Sequence, residues 1–149
     1  MQERTDSGEQ LKSLAQKYVH ALSPRSRATI VALSGELGAG KTTFVQGVAA
    51  TLGIRETVAS PTFVIEKVYE LEGQKWERLI HIDAYRLKSA HELEVLGWKE
   101  ITADSANLIL LEWPERVPEL IPRDALRVFI DIENDGRIIS IDYGGKEKN

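Results

Sequence analysis

Residues 35–42 read Gly-Glu-Leu-Gly-Ala-Gly-Lys-Thr, a complete G-x-x-x-x-G-K-T pattern whose flanks leave few folds open. Before it, Thr29–Ser34 (TIVALS) is β-branched and short enough for a buried strand. After it, residues 42–52 place Phe44, Val45, Val48, Ala49 and Leu52 on one helical face. Strand, glycine loop and helix follow in the order that phosphate binding requires. The glycines let the backbone turn its N–H groups inward, and the helix N-terminus adds about half a positive charge at the same place. On this reading Gly38, Ala39, Gly40, Lys41, Thr42 and Thr43 hold the phosphates of a nucleoside triphosphate. Lys41 reaches the terminal phosphates, and the Thr42 hydroxyl faces Mg²⁺.

At 149 residues and 42% hydrophobic content the chain suits one domain, 1–149, with a single core. A net charge of −4 argues against a protein that coats nucleic acid or an anionic membrane. There is no cysteine, so disulfides, thiolate metal sites and a cysteine nucleophile drop out, and a cation must be held by oxygen. No apolar run approaches the ~20 residues that span a bilayer, which gives the expectation of a soluble cytoplasmic protein.

Residues 1–6 read as a frayed end, after which Ser7 and Gln10 form a capping box for a helix striped by Leu11, Leu14, Ala15, Tyr18, Val19 and Leu22. Runs 63–71 and 76–83 are strand-like and close enough for an antiparallel hairpin. Ser89 with Glu92 caps a short helix through Leu96 that Gly97 closes. The almost wholly apolar Asn107–Glu112 suits a central parallel strand. A terminal hairpin follows, with Leu126, Val128, Ile130 and Ile132 alternating, a turn at Asn134-Asp135-Gly136 and a return strand. Residues 144–149 read as a disordered tail.

Mg²⁺ at such a loop needs a carboxylate beyond the threonine hydroxyl, and two apolar strands end in one. Asp83 closes RLIHID and Glu112 closes NLILLE, where open α/β sheets gather ligand-binding groups; either suits the role, and either also suits an ion pair with Arg86 or Arg116. Thr62, after Ser60-Pro61, reads as a γ-phosphate switch or as ordinary turn chemistry. Taken alone, His81 reads as a core or polar-face residue, and Trp113 as a gate or as packing. Arg86 reads as a phosphate-charge stabiliser or an ion-pair partner.

Taken together, LSGELGAGKTTF, SPTF, HIDAYRL, ELEVLGW and LLEWPERV, in this order and spacing, resemble the TsaE (YjeE) family, the P-loop ATPase of bacterial tRNA threonylcarbamoyladenosine synthesis. The resemblance runs from about Ser7 to Pro122, and the terminal hairpin with Arg137 also fits. It implies a three-layer α/β/α P-loop NTPase fold with a mixed, largely parallel sheet and antiparallel hairpins. It also implies a Mg²⁺-dependent ATPase, weak alone, that acts with a TsaB–TsaD heterodimer and meets tRNA indirectly. Carried over by position, it associates Thr42 and Glu112 with Mg²⁺, puts Asp83 near the metal or its water, makes Thr62 part of a switch, and sets Trp113 beside the nucleotide. Leu11 departs from it, standing where the family often carries a threonine near the nucleotide, which removes a polar contact to the base. ATP is expected over GTP because no Asn-Lys-x-Asp or Asp-x-x-Gly segment is present. A small-molecule or nucleotide kinase shares the phosphate loop, as does a docking module that binds ATP without useful turnover.

Overall fold

The computed structural model describes residues 2–36, 38–56 and 65–143. Among these residues seven strands, β1 (Gln2–Thr5), β2 (Thr29–Ser34), β3 (Glu66–Glu70), β4 (Arg78–Asp83), β5 (Asn107–Glu112), β6 (Leu126–Glu133) and β7 (Gly136–Asp142), form one sheet. Their order is β1-β7-β6-β2-β5-β4-β3. The four central strands, β6, β2, β5 and β4, run parallel. Antiparallel hairpins extend the sheet on both sides, β3 against β4 and β7 against β6, with β1 on the outer edge of β7. The mixed α/β sheet with a parallel centre expected from the sequence is therefore present.

Among the described residues four α-helices cover the sheet: α1 (Gly8–Ala21), α2 (Lys41–Thr51), α3 (Ala90–Val95) and α4 (Trp98–Ala103). The uninterrupted apolar runs in β2 and β5 follow from covering both faces, since alternate side chains enter different cores. Val31, Leu33, Leu108 and Leu110 pack with Leu14, Tyr18, Phe44 and Val48 of α1 and α2. Ile30, Ala32, Ile109 and Leu111 pack with Leu93 of α3 and Trp98 of α4 on the other side. Helix layers thus flank the sheet on both faces. The α1–α2 crossing is close at Gly47, where a Cβ would meet the Lys12 carbonyl oxygen at 2.7 Å.

The Ser7 hydroxyl accepts from the Gln10 N–H at 3.1 Å, and the Gln10 side chain accepts from the Asp6 N–H at 2.6 Å, one residue before the position a capping box specifies. At α3 the expected box does not form: the Ser89 side chain makes no cap bond, and Glu92 accepts from the Lys88 N–H at 3.1 Å, again one residue before the position a capping box specifies. The reading of residues 1–6 as a frayed end is corrected at Gln2–Thr5, which pair antiparallel with β7 from Gln2↔Ser140 to Thr5↔Arg137. Backbone pairing supplies what an apolar pattern does not. The first residues of the 63–71 run and the tail at 144–149 lie outside the described residues.

Candidate functional site

β2 delivers the glycine loop to the N-terminus of α2, and the loop's geometry depends on two glycines. Gly38 and Gly40 take φ of 81° and 117°, a region that costs other residues steric strain. A Cβ at Gly38 would meet nothing within 4 Å, so the loop is open there to a ligand. A Cβ at Gly40 would lie 2.7 Å from Leu11 Cδ2, so Leu11 packs beneath the loop as an apolar floor, 2% exposed. Its side chain therefore belongs to the core, which accounts for an apolar residue where the resemblance leads one to expect threonine. A cleft beside the loop is lined by Ser7 and Gly8 at the start of α1, by Thr43, and by Asp135 and Arg137 of the terminal hairpin.

Lys41 opens α2 and is 5% exposed. Its Nζ donates to the carbonyls of Gly35 and Glu36, the latter at 3.0 Å, and lies 4.3 Å from the centre of the Trp113 ring. Burial pushes the ammonium below its ordinary pKa, and the charges of Glu112, Asp83 and Glu115 oppose that shift. The same three carboxylates that hold the charge on Lys41 are thus its electrostatic neighbours.

Asp83 and Glu112 end adjacent parallel strands and are register partners, so both expected acids reach one edge of the sheet beside Lys41. They differ in surroundings. Asp83 is half-buried, and one of its carboxylate oxygens accepts from the Tyr85 N–H at 3.0 Å, an Asx-type turn. Glu112 is 2% exposed and meets His81 Nε2 at 2.6 Å, with the imidazole fully buried. With Glu112 as the acceptor, Nε2 carries the proton and His81 Nδ1 is left buried without a partner. Sequence reasoning took His81 as core or polar-face; it is core, and it also holds the acid.

Trp113 adopts φ 61° and ψ 52°, unusual for so bulky a residue. Its N–H donates to Leu33 O at 3.1 Å, its ring lies 4.9 Å from that of Tyr85, and the Arg116 guanidinium sits 5.2 Å over Tyr85. Lys41, Trp113, Tyr85 and Arg116 therefore form one cation–aromatic stack across the strand ends. Arg137 reaches the loop from the opposite side, donating from Nε to Ala39 O at 2.7 Å and from Nη2 to Gly38 O at 3.2 Å. Thr62, with Ser60 and Pro61, lies outside the described residues, as does Leu37 of the loop.

Open glycine backbone, a lysine at a helix start, a threonine next to it and two strand-end carboxylates are the donor set that a nucleoside triphosphate with an oxygen-loving divalent cation fits. No helix among the described residues is long and apolar enough to cross a membrane.

Comparison with known proteins agrees with this geometry. The family model of the threonylcarbamoyl adenosine biosynthesis protein TsaE matches residues 5–139. A tRNA threonylcarbamoyladenosine biosynthesis protein TsaE of Streptomyces coelicolor is 46% identical over 103 residues, covering 68% of each chain. The protein of the same name from Rickettsia conorii is 35% identical over 146 residues, 97% of this chain and 79% of that one. The crystal structure of Bacillus subtilis YdiB superposes with a TM-score of 0.79 at 30% identity, covering 99% of this chain and 87% of that chain. Carrying the family's model over most of its length, with the glycine loop and both strand-end acids in place, this chain belongs to the TsaE family of threonylcarbamoyl adenosine biosynthesis proteins.

Proposed function

We propose that this chain is the ATP-binding and ATP-hydrolysing subunit of tRNA N6-threonylcarbamoyladenosine modification, acting in the cytoplasm with a TsaB–TsaD complex and driving its turnover. The observation that carries the reading is the convergence of Lys41 on the glycine loop with the register-paired Asp83 and Glu112. The backbone of Gly38, Ala39, Gly40, Lys41, Thr42 and Thr43 binds the phosphates, and the Thr42 hydroxyl with Glu112 holds Mg²⁺. When bound, Mg²⁺ withdraws charge from the phosphate oxygens. Asp83, less buried than Glu112, orients the attacking water, so the chain's own contribution is positioning and charge stabilisation. Thr62 senses the γ-phosphate, and Trp113 flanks the nucleotide.

Two features support weak activity by the chain alone. Lys41 is engaged with the Gly35 and Glu36 carbonyls and the Trp113 ring, and must exchange these for phosphate. One carboxylate oxygen of Glu112, Oε2, is taken up by His81. A partner that favours the exchanged arrangement stimulates turnover by selecting it. The kinase alternative needs a mobile segment that closes over the acceptor, and the obvious stretch after β4 is anchored instead, with Leu87, Leu93 and Trp98 buried in the second core. The acidity of the chain favours indirect contact with tRNA.

The test is ATP hydrolysis by the purified chain, alone and with its TsaB–TsaD pair, alongside Lys41→Ala. Slow turnover alone, partner stimulation, and loss of both in the variant are expected. Stimulated tRNA modification that continues through many cycles with Lys41→Ala would leave only a docking role. Phosphate transfer to a metabolite in place of water would return the kinase.

A further inference from the structure

We propose that Arg137 is a positioning residue that shapes the phosphate loop from the far end of the chain, a role that rests on the nucleotide reading of this site. Arg137 lies on β7, opposite Ile132 of β6 and Thr5 of β1. It shares a sheet face with Ile139 and Ile141, which pack in the α1–α2 core, so it projects on the side that carries the loop. All three guanidinium nitrogens donate to backbone carbonyls: Nε to Ala39 at 2.7 Å, Nη1 to Gly136 at 3.0 Å and Nη2 to Gly38 at 3.2 Å. Three of its five N–H groups are thus spent on backbone carbonyls, two of them in the loop, so the group braces the loop backbone.

The brace has a directional effect. In a planar trans peptide the C=O and the following N–H point opposite ways. Fixing the Gly38 and Ala39 carbonyls toward the hairpin therefore directs the N–H groups of Ala39 and Gly40 away from it. The Ala39 N–H accordingly closes the turn on Glu36 O at 3.0 Å, and the Gly40 N–H shares the peptide that Arg137 Nε holds. A Cβ at Gly38 would meet nothing within 4 Å, so packing does not hold the loop at that residue. The hairpin is itself anchored. Arg4 of β1 donates to Asp6 at 2.9 Å and to Glu133 of β6 at 3.1 Å, beside the β1–β7 pairing. The brace thus transmits the rigidity of the sheet edge to a loop whose glycines would otherwise sample many shapes, and a ligand then need not supply that ordering.

The experiment is calorimetric titration of ADP into the wild type, Arg137→Gln, Arg137→Lys and Arg4→Gln, with melting temperatures and amide NMR spectra of each nucleotide-free protein. Arg4→Gln removes the hairpin's other anchor without touching the loop, and so reports what a merely structural loss does. Arg137→Gln should bind ADP about ten-fold more weakly, the size expected for losing one charge-assisted hydrogen bond's worth of ordering, with Arg137→Lys between it and the wild type. The amides of residues 38–41 should shift or broaden in Arg137→Gln and stay in place in Arg4→Gln, which should lose melting temperature but not affinity. Wild-type ADP affinity in Arg137→Gln would overturn the proposal, as would equal losses of affinity in Arg137→Gln and Arg4→Gln. Undisturbed loop amides in Arg137→Gln would overturn it even if the wild type bound no ADP, the result that separately defeats the nucleotide reading.

Discussion

His81 and Glu112 are a case in which either residue alone is a liability. A carboxylate 2% exposed depends on its partner, and the imidazole keeps one nitrogen, Nδ1, buried and unbonded to supply the other. His81 is a fully buried polar residue in a strand whose other buried side chains, Leu79, Ile80 and Ile82, are aliphatic, so the histidine is explained by the acid it holds. Removing one partner of such a pair strands the other, whereas removing both need not. His81→Leu should therefore lower unfolding free energy by about 2 kcal/mol or more, and Glu112→Leu by a similar amount. The double variant should lose less than the sum, with a coupling of about 1 kcal/mol or more in a denaturant double-mutant cycle. Strictly additive losses would mean that the two side chains are independent. The site's individual residues were readable to different depths. The loop and the two terminal acids stand in local patterns. The His81–Glu112 bond joins residues 31 apart and the Arg137 brace residues 98 apart, and only the folded sheet brings them together.

At the scale of elements, α1 joins what sequence reading captured to what it missed. Its apolar stripe and its Ser7 cap were legible because both are local, as were β2, β5 and the terminal hairpin. β1 was not, since Gln-Glu-Arg-Thr carries no apolar pattern and owes its form to the free edge of β7. α4 was missed because six residues are too few to display a helical period, though Trp98 and Thr102 do face inward. Besides the chain itself, β1 and α1 are joined by a buried-side contact, the Tyr18 hydroxyl donating to Glu3 at 2.9 Å. Burial first, and then the Glu3 hydrogen bond and charge, raise the Tyr18 pKa far above its ordinary 10.0. The sign follows from proton counting. Above pH 10 the unfolded chain releases this proton while the folded chain keeps it, so the stabilisation is complete below pH 10 and is lost as pH rises beyond it. Wild-type stability should thus fall more steeply than that of Tyr18→Phe between about pH 10 and 11.5, measured by urea unfolding at each pH. Parallel curves would mean that Tyr18 ionises equally in both states.

Across the whole molecule, one edge of the sheet collects the glycine loop and both strand-end acids. The C-terminal ends of β2, β4 and β5 present Gly35, Asp83 and Glu112, while the two chain-terminal strands, β1 and β7, bring the hairpin round to the loop's other side. The parallel centre was legible in the sequence because strands covered on both faces must be apolar throughout. The closure by the chain ends was not, because its signal is an arginine and a backbone edge. The loop at this edge joins β2 to α2, is braced by the terminal hairpin and lies beside the ends of β4 and β5, so a ligand that orders it should stabilise the fold as one cooperative unit. At a hundred-fold excess over its dissociation constant a ligand adds about 2.7 kcal/mol of stability. For a domain of about 150 residues each kcal/mol is worth roughly 2–4 °C. ADP at that excess should therefore raise the melting temperature by about 5–10 °C in a single transition. Lys41→Ala should reduce the shift, because the loop then lacks its cation. A shift confined to one of two resolved transitions would mean that the terminal hairpin and the parallel centre melt separately, and that the site draws on only one of them.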